Sequence, residues 1–215
     1  SVFAFEKQIL MDIENLLVDS RPSRIERVSC DETHIGAINA LFATTSGSGG
    51  IIPVQVVRKK SNKKEESVLI TGRQGETMKE SVNIALTVAM ILAGKTEDHN
   101  NFHLHCPSGS TPKDGPSAGC AFALAFLSVL KNMPCRQNIA LTGEVDLRGQ
   151  VCPIGGLPAK ISGAISHGVD TILIPEKNKD DCERYLKENQ LPKKVKIIYI
   201  NAVLDAAKLV LVGWV

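Results

Sequence analysis

The sequence predicts a layered α/β fold, a single compact domain of mixed sheet and helices. From Glu76 onward, short runs of β-branched and apolar residues alternate with helical patterns of about 10–15 residues. With 215 residues and 43% hydrophobic content, the chain can bury one sizeable core. Neither an internal repeat nor a low-complexity tract divides it.

The elements follow in order. Phe3, Phe5, Ile9, Ile13 and Leu16 recur at helical intervals, so Phe3 to Val18 reads as an amphipathic helix ahead of the compact domain. Ser20 to Arg27, with Pro22 and alternating charge, reads as a connector. The expected division is residues 1–30 for helix and connector and 31–215 for the domain. Ile35 to Arg58 alternates like a hairpin, with Ser46-Gly47-Ser48-Gly49-Gly50 as a flexible tip. A basic run (Arg58, Lys59, Lys60, Lys63, Lys64) precedes a short strand at Ser67 to Thr71. Glu76 to Leu92 carries Met78, Val82, Ala85, Leu86 and Ala89 at helical spacing, closed by Gly94. A strand is expected at Phe102 to Cys106, a helix at Ser117 to Leu130 and a strand at Asn138 to Thr142. After a glycine-rich turn region come helix Leu157 to His167, strand Thr171 to Ile174, helix Lys179 to Glu188, strand Val195 to Ile200 and a helix from Ala202.

Composition narrows the function. A formal charge of +2 gives no bulk argument for a nucleic-acid or membrane partner. The basic run lacks interleaved aromatics, and aromatics make up only 4% of the chain, so it reads as a solvated loop rather than a nucleic-acid surface. No apolar stretch reaches the roughly 20 residues needed to span a bilayer, and no secretory signal is legible. The expectation is a soluble intracellular protein of the mitochondrial matrix, peroxisome or cytoplasm; the closing Gly213-Trp214-Val215 is not a peroxisomal address. Six cysteines without a C-x-x-C pair suit a reducing compartment and have no zinc-ligand spacing. Ser1 rather than Met at the start suits a processed protein or a piece of a longer one.

Two segments carry chemistry. In the first, Ser108 to Gly119, prolines and glycines fix an irregular loop that runs straight into an apolar helix. Ser117 is expected at the helix start, where unpaired N–H groups and the dipole favour negative charge. A lone serine there is more often a simple cap. In the second, Gly155-Gly156 makes a tight turn, Pro158 sits early in the next helix, and Lys160 follows within its first turn. Alone, Lys160 would be an anonymous surface charge.

Together, Pro112-Lys113-Asp114-Gly115-Pro116-Ser117-Ala118-Gly119 and Pro153-Ile154-Gly155-Gly156-Leu157-Pro158-Ala159-Lys160 resemble the proteolytic domain of the Lon protease family, as does the spacing of 43 residues between Ser117 and Lys160. Shorter similarities include Thr71-Gly72 through Glu80-Ser81, Thr142-Gly143-Glu144, Leu147-Arg148-Gly149, and Ile174-Pro175 followed by Asn178. Departures include Pro158-Ala159 where many relatives carry Lys-Glu, Cys152 in place of a common leucine, and the segment Ser46 to Pro53.

The resemblance implies an endopeptidase in which Ser117 attacks the scissile carbonyl and Lys160 takes its proton, with Thr142 orienting the lysine. It implies unfolded polypeptides as substrates, a homo-hexamer in the full-length protein, and an ATPase module. This chain holds no G-x-x-x-x-G-K-[ST] phosphate loop, so ATP and Mg are expected only with that module and no cofactor with this chain. A lysine must be neutral to act as base, so burial without a carboxylate is required of Lys160. Gly115 and Pro116 shape the serine loop. Asp114 could pair with Lys113 or, in a dormant module serving only assembly or substrate binding, with Lys160. His103 and His105 share a strand face and are expected to flank the site or serve structure rather than bind metal. A bond from Lys160 Nζ to Ser117 Oγ would favour the active reading; an Asp114–Lys160 ion pair would favour the dormant one.

Overall fold

The computed structural model describes residues 32–59, 67–95, 101–107 and 111–214. The expected helix Phe3 to Val18, its connector, and Lys60, Lys63 and Lys64 lie outside the described residues. A seven-stranded mixed sheet runs in the order β11 (Lys196–Ile200), β10 (Thr171–Pro175), β7 (Ile139–Leu141), β2 (Ala37–Ala43), β3 (Gly49–Arg58), β5 (Asn101–His105) and β4 (Ser67–Thr71). The four strands from β11 to β2 are parallel, β3 is antiparallel to both β2 and β5, and β4 is parallel to β5. Two short antiparallel pairs join β1 (Thr33–His34) to β6 (Cys135–Arg136), and β8 (Glu144–Val145) to β9 (Val151–Cys152).

Alternation along the strands sorts the side chains into two cores. Ile38, Ala40, Leu141 and Leu173 face one layer, built from α1 (Glu76–Ala93), α2 (Gly119–Lys131) and α5 (Val203–Val210). Leu41, Ala140, Ile172 and Ile174 face the other, built from α3 (Leu157–Ser166) and α4 (Lys179–Glu188). Helix α2 is apolar almost all round, as a helix enclosed on every side must be; its Phe126 meets Phe102 of β5 edge-on at 5.2 Å between ring centroids.

Three expectations need correction. The helix expected from Ser117 begins at Gly119, with Ala118 at the N-cap, because Ser117 is still held in the loop by its carbonyl. The strand expected to reach Cys106 ends at His105. Gly49 and Gly50, read as part of a flexible tip, are strand residues paired with Ala43 and Phe42. Their lack of side chains serves packing: a Cβ on Gly49 would lie 2.1 Å from the carbonyl oxygen of Ala159, and one on Gly163 would lie 2.4 Å from the Gly49 carbonyl carbon. Helix α3 thus rests backbone-on-backbone upon the start of β3. The actual tip, Thr44 to Ser48, is tied by the Thr44 hydroxyl to Ser46 Oγ, Ser48 Oγ and the Ser48 N–H.

Candidate active site

The serine loop is anchored before Ser117 is reached. Arg73 O accepts from Lys113 N–H at 3.0 Å, and Lys113 O accepts from Gly75 N–H at 2.7 Å, so the loop pairs with the entry to α1. Lys113 Nζ donates to Gly72 O and Thr111 O. Asp114 Oδ1 accepts from the N–H of Met78 at 2.9 Å and of Gly115 at 2.8 Å. It therefore caps α1 from another segment, in place of Gly75, which has no side chain to do so. These N–H donors, with Gly115 first, hold its carboxyl below the ordinary carboxylate value. Gly115 then turns at φ +112°, and Pro116 O accepts from Gly119 N–H at 3.0 Å.

The Asp114 cap predicts a pH-dependent stability. Because its folded-state value lies below the ordinary 3.8, its contribution is present above 3.8 and lost as pH falls through the lower folded value. Asp114→Ala is expected to melt below the wild type at neutral pH, with the two midpoints converging under strong acid in calorimetry. A constant gap down to the most acidic pH would contradict the cap.

Ser117 is clamped by its main chain. Its carbonyl accepts from Gly143 N–H at 2.7 Å and from the Thr142 hydroxyl at 3.2 Å. Thr142 lies one residue past β7, which ends at Leu141 rather than at Thr142 as expected; it is fully buried and also receives Lys160 Nζ on its Oγ1 at 3.0 Å. Since the single Thr142 hydrogen points to Ser117, Thr142 acts toward the lysine as acceptor. One hydroxyl thereby links the serine segment and the lysine. Lys160 itself is only 3% exposed, and burial alone pushes its ammonium down from 10.5 to about 8. Nζ is not hydrogen-bonded to Ser117 Oγ among the described residues, nor is it paired with Asp114, whose carboxylate is occupied at α1. Of the two arrangements that would separate active from dormant, the structure displays neither.

The Gly155-Gly156 turn presents Lys160 as its sequence suggested. Gly156 caps α3 at φ +68°, a left-handed conformation that suits glycine, and its carbonyl accepts from Lys160 N–H at 3.1 Å. Between the β2–β3 hairpin, the C-terminal end of α3 and the serine loop lies a cavity of about 490 Å³, lined by Phe42, Ile52, Met78, Pro112, Ser117 and His167 among others. The helix N-terminus is less open than Ser117 at a helix start would make it: Gly119 and Cys120 N–H are spent on Pro116 O and Gly143 O. The amides of Ser117 and Ala118 have no acceptor among the described residues.

His103 Nε2 and His105 Nδ1 both bond the Thr71 hydroxyl, at 2.9 and 2.7 Å, which ties β5 to β4; neither lines the cavity. No group of three metal-ligating side chains occurs among the described residues. Sequence reading assigned no role to two residues of the site: His167, whose Nδ1 bonds Gly163 O at 2.7 Å while its ring lines the cavity, and Asn178, quoted only as part of a motif.

The fold thus places a buried lysine, bridged by a threonine hydroxyl to the carbonyl of a serine at a cavity, in an α/β scaffold. The profile of the Lon protease (S16) C-terminal proteolytic domain matches residues 12–213, and the chain belongs to that family. It is 40% identical over 189 residues to the Lon protease of Trichlorobacter lovleyi, covering 84% of this chain and 22% of that protein. Against the Lon protease homolog of Acanthamoeba polyphaga mimivirus the identity is 41% over 166 residues, covering 72% and 16%. The mitochondrial Lon protease homolog of Bos taurus is 40% identical over 163 residues, covering 70% and 17%. The chain thus spans about a fifth of the length of these relatives. Among the described residues, no helix is long and apolar enough to cross a membrane.

Proposed function

We propose that this domain cleaves peptide bonds with Ser117 as nucleophile and Lys160 as general base. The observation that carries the reading is the burial of Lys160 against Thr142, the residue that also bonds the Ser117 carbonyl. As substrate seats, the Ser117 hydroxyl turns toward Nζ; such bonds are often long before substrate binds. Ser117 Oγ then attacks the scissile carbonyl carbon and its proton passes to neutral Lys160. The carbonyl becomes an oxyanion, for which the Ala118 N–H, and the Ser117 N–H beside it, are the candidate donors. Collapse of this intermediate breaks the C–N bond, and the Lys160 ammonium returns its proton to the departing amine. Water, deprotonated in turn by Lys160, attacks the acyl ester and frees Ser117. The Thr142 hydroxyl, occupied as a donor, leaves the amine lone pair open throughout.

The cavity beside Ser117 receives an extended segment of an unfolded polypeptide. In the whole protein, an ATPase module using ATP and Mg unfolds substrates and the chains assemble as a homo-hexamer, serving protein quality control. Treating the full chain with an alkyl fluorophosphonate tests the nucleophile: mass spectrometry is expected to find one adduct, on Ser117. An adduct on another serine, or none at alkaline pH, would overturn the assignment.

A further inference from the structure

The turn that delivers Lys160 is gripped by a side chain from a different element. Ile154 opens that turn, and both of its backbone groups end on one amide: its N–H donates to Asn178 Oδ1 at 2.8 Å, and its carbonyl accepts from Asn178 Nδ2 at 3.0 Å. Asn178 is 3% exposed and closes the 3₁₀ turn Glu176–Asn178 that follows β10. The turn itself offers little else to hold it, since Gly155 and Gly156 have no side chains. A Cβ on Gly155 would meet nothing within 4 Å.

The same stretch of chain also fixes the lysine's partner. Leu173 of β10 accepts the Thr142 N–H at 3.2 Å. Leu173 and Asn178, five residues apart, thus hold Thr142 and the approach to Lys160 in one frame. A buried amide satisfied at both ends by the backbone of a single residue restrains that residue's position and its orientation together. We propose that Asn178 is a positioning residue for peptide cleavage, clamping the Ile154–Gly156 turn so that Lys160 Nζ stays buried against Thr142 beside Ser117. This rests on Lys160 being the base, but its structural half is measurable without catalysis.

Burial alone lowers the lysine, with no carboxylate or second cation contributing, so its titration reports how well the turn excludes water. The experiment compares the full wild-type chain with Asn178→Ala and Asn178→Leu. Leucine fills the slot without hydrogen bonds and so separates the clamp from simple packing. In lysine-labelled protein, the Lys160 ¹³Cε resonance is identified by its loss in Lys160→Met and followed with pH. The expected midpoint is about 8 in the wild type and closer to 10.5 in both variants. Against a fluorogenic peptide, kcat is expected to fall about 10- to 100-fold, with KM within about twofold. Cooperative melting shows that each variant remains folded. Wild-type titration and kcat in folded Asn178→Leu would overturn the proposal. If Lys160→Met retained full peptidase activity, the base assignment would fall, while the titration would still decide the clamp.

Discussion

Ser117→Ala and Lys160→Met are each expected to lower peptidase activity on an unfolded protein or a fluorogenic peptide by at least about 10³-fold. Because the two groups act as a unit, the double variant should be no worse than the poorer single one. Their effects on stability should differ. Met has nearly the volume of the buried Lys160 side chain and no charge to desolvate. The depression of Lys160 from 10.5 to about 8 corresponds to a cost of charge burial of about 3 kcal/mol at neutral pH. Lys160→Met should therefore melt above the wild type at pH 7, even though it is inactive. Full activity in either single variant would end the dyad reading.

The pH dependence follows from the same lysine. Below about 8 the folded and unfolded chains both hold its proton, and the folded state bears the cost of the buried charge. Between about 8 and 10.5 the folded lysine has released its proton and the unfolded one has not, so wild-type stability gains from this group as pH rises. The advantage of Lys160→Met should shrink across that window. Wild-type kcat/KM should rise with a midpoint near 8 as the amine form appears.

Much of this site is legible in the residues because its chemistry is written locally. The prolines and glycines around Ser117, and the Gly155-Gly156 turn before Lys160, mark both loops, and the strand leading to Thr142 follows from its apolar run, though it stops at Leu141. What escaped depends on contacts between distant segments. The paired strands β1–β6 and β8–β9 are two residues each and have no period to detect. Asp114 looks from its neighbours like an ion-pair partner; only the fold reveals that α1 has a glycine at its N-cap and takes its capping side chain from the serine loop. Asn178 lies 24 residues from the turn it holds, and its role appears only when β10 brings it alongside. Gly49 and Gly50 misled for a related reason, since glycine beside serines signals a turn equally well when its purpose is to admit a helix.

That helix contact predicts a coupled loss of stability and activity. In an exposed helix, Gly→Ala gains up to about 1 kcal/mol from helix propensity. At Gly163 the added methyl carbon would stand 2.4 Å from both the Gly49 carbonyl carbon and the Gly50 nitrogen, 2.7 Å from the Gly49 oxygen, and backbone cannot swing aside as a side chain can. Nonbonded carbons settle about 3.5–4.0 Å apart, so α3 must retreat from β3 by roughly 1 Å. Overpacking of this kind costs about 1–3 kcal/mol, which outweighs the propensity gain. Lys160 lies one turn earlier on the same helix, and Ala159 beside it makes the reciprocal contact with Gly49. The retreat would draw Nζ away from Thr142, and misplacement by about 1 Å is enough to cost about 10²-fold in kcat. Gly163→Ala should thus melt below the wild type and lose most of its peptidase activity. A variant more stable than wild type and fully active would show that propensity governs this position and that α3 does not need its seat on β3 to aim the lysine.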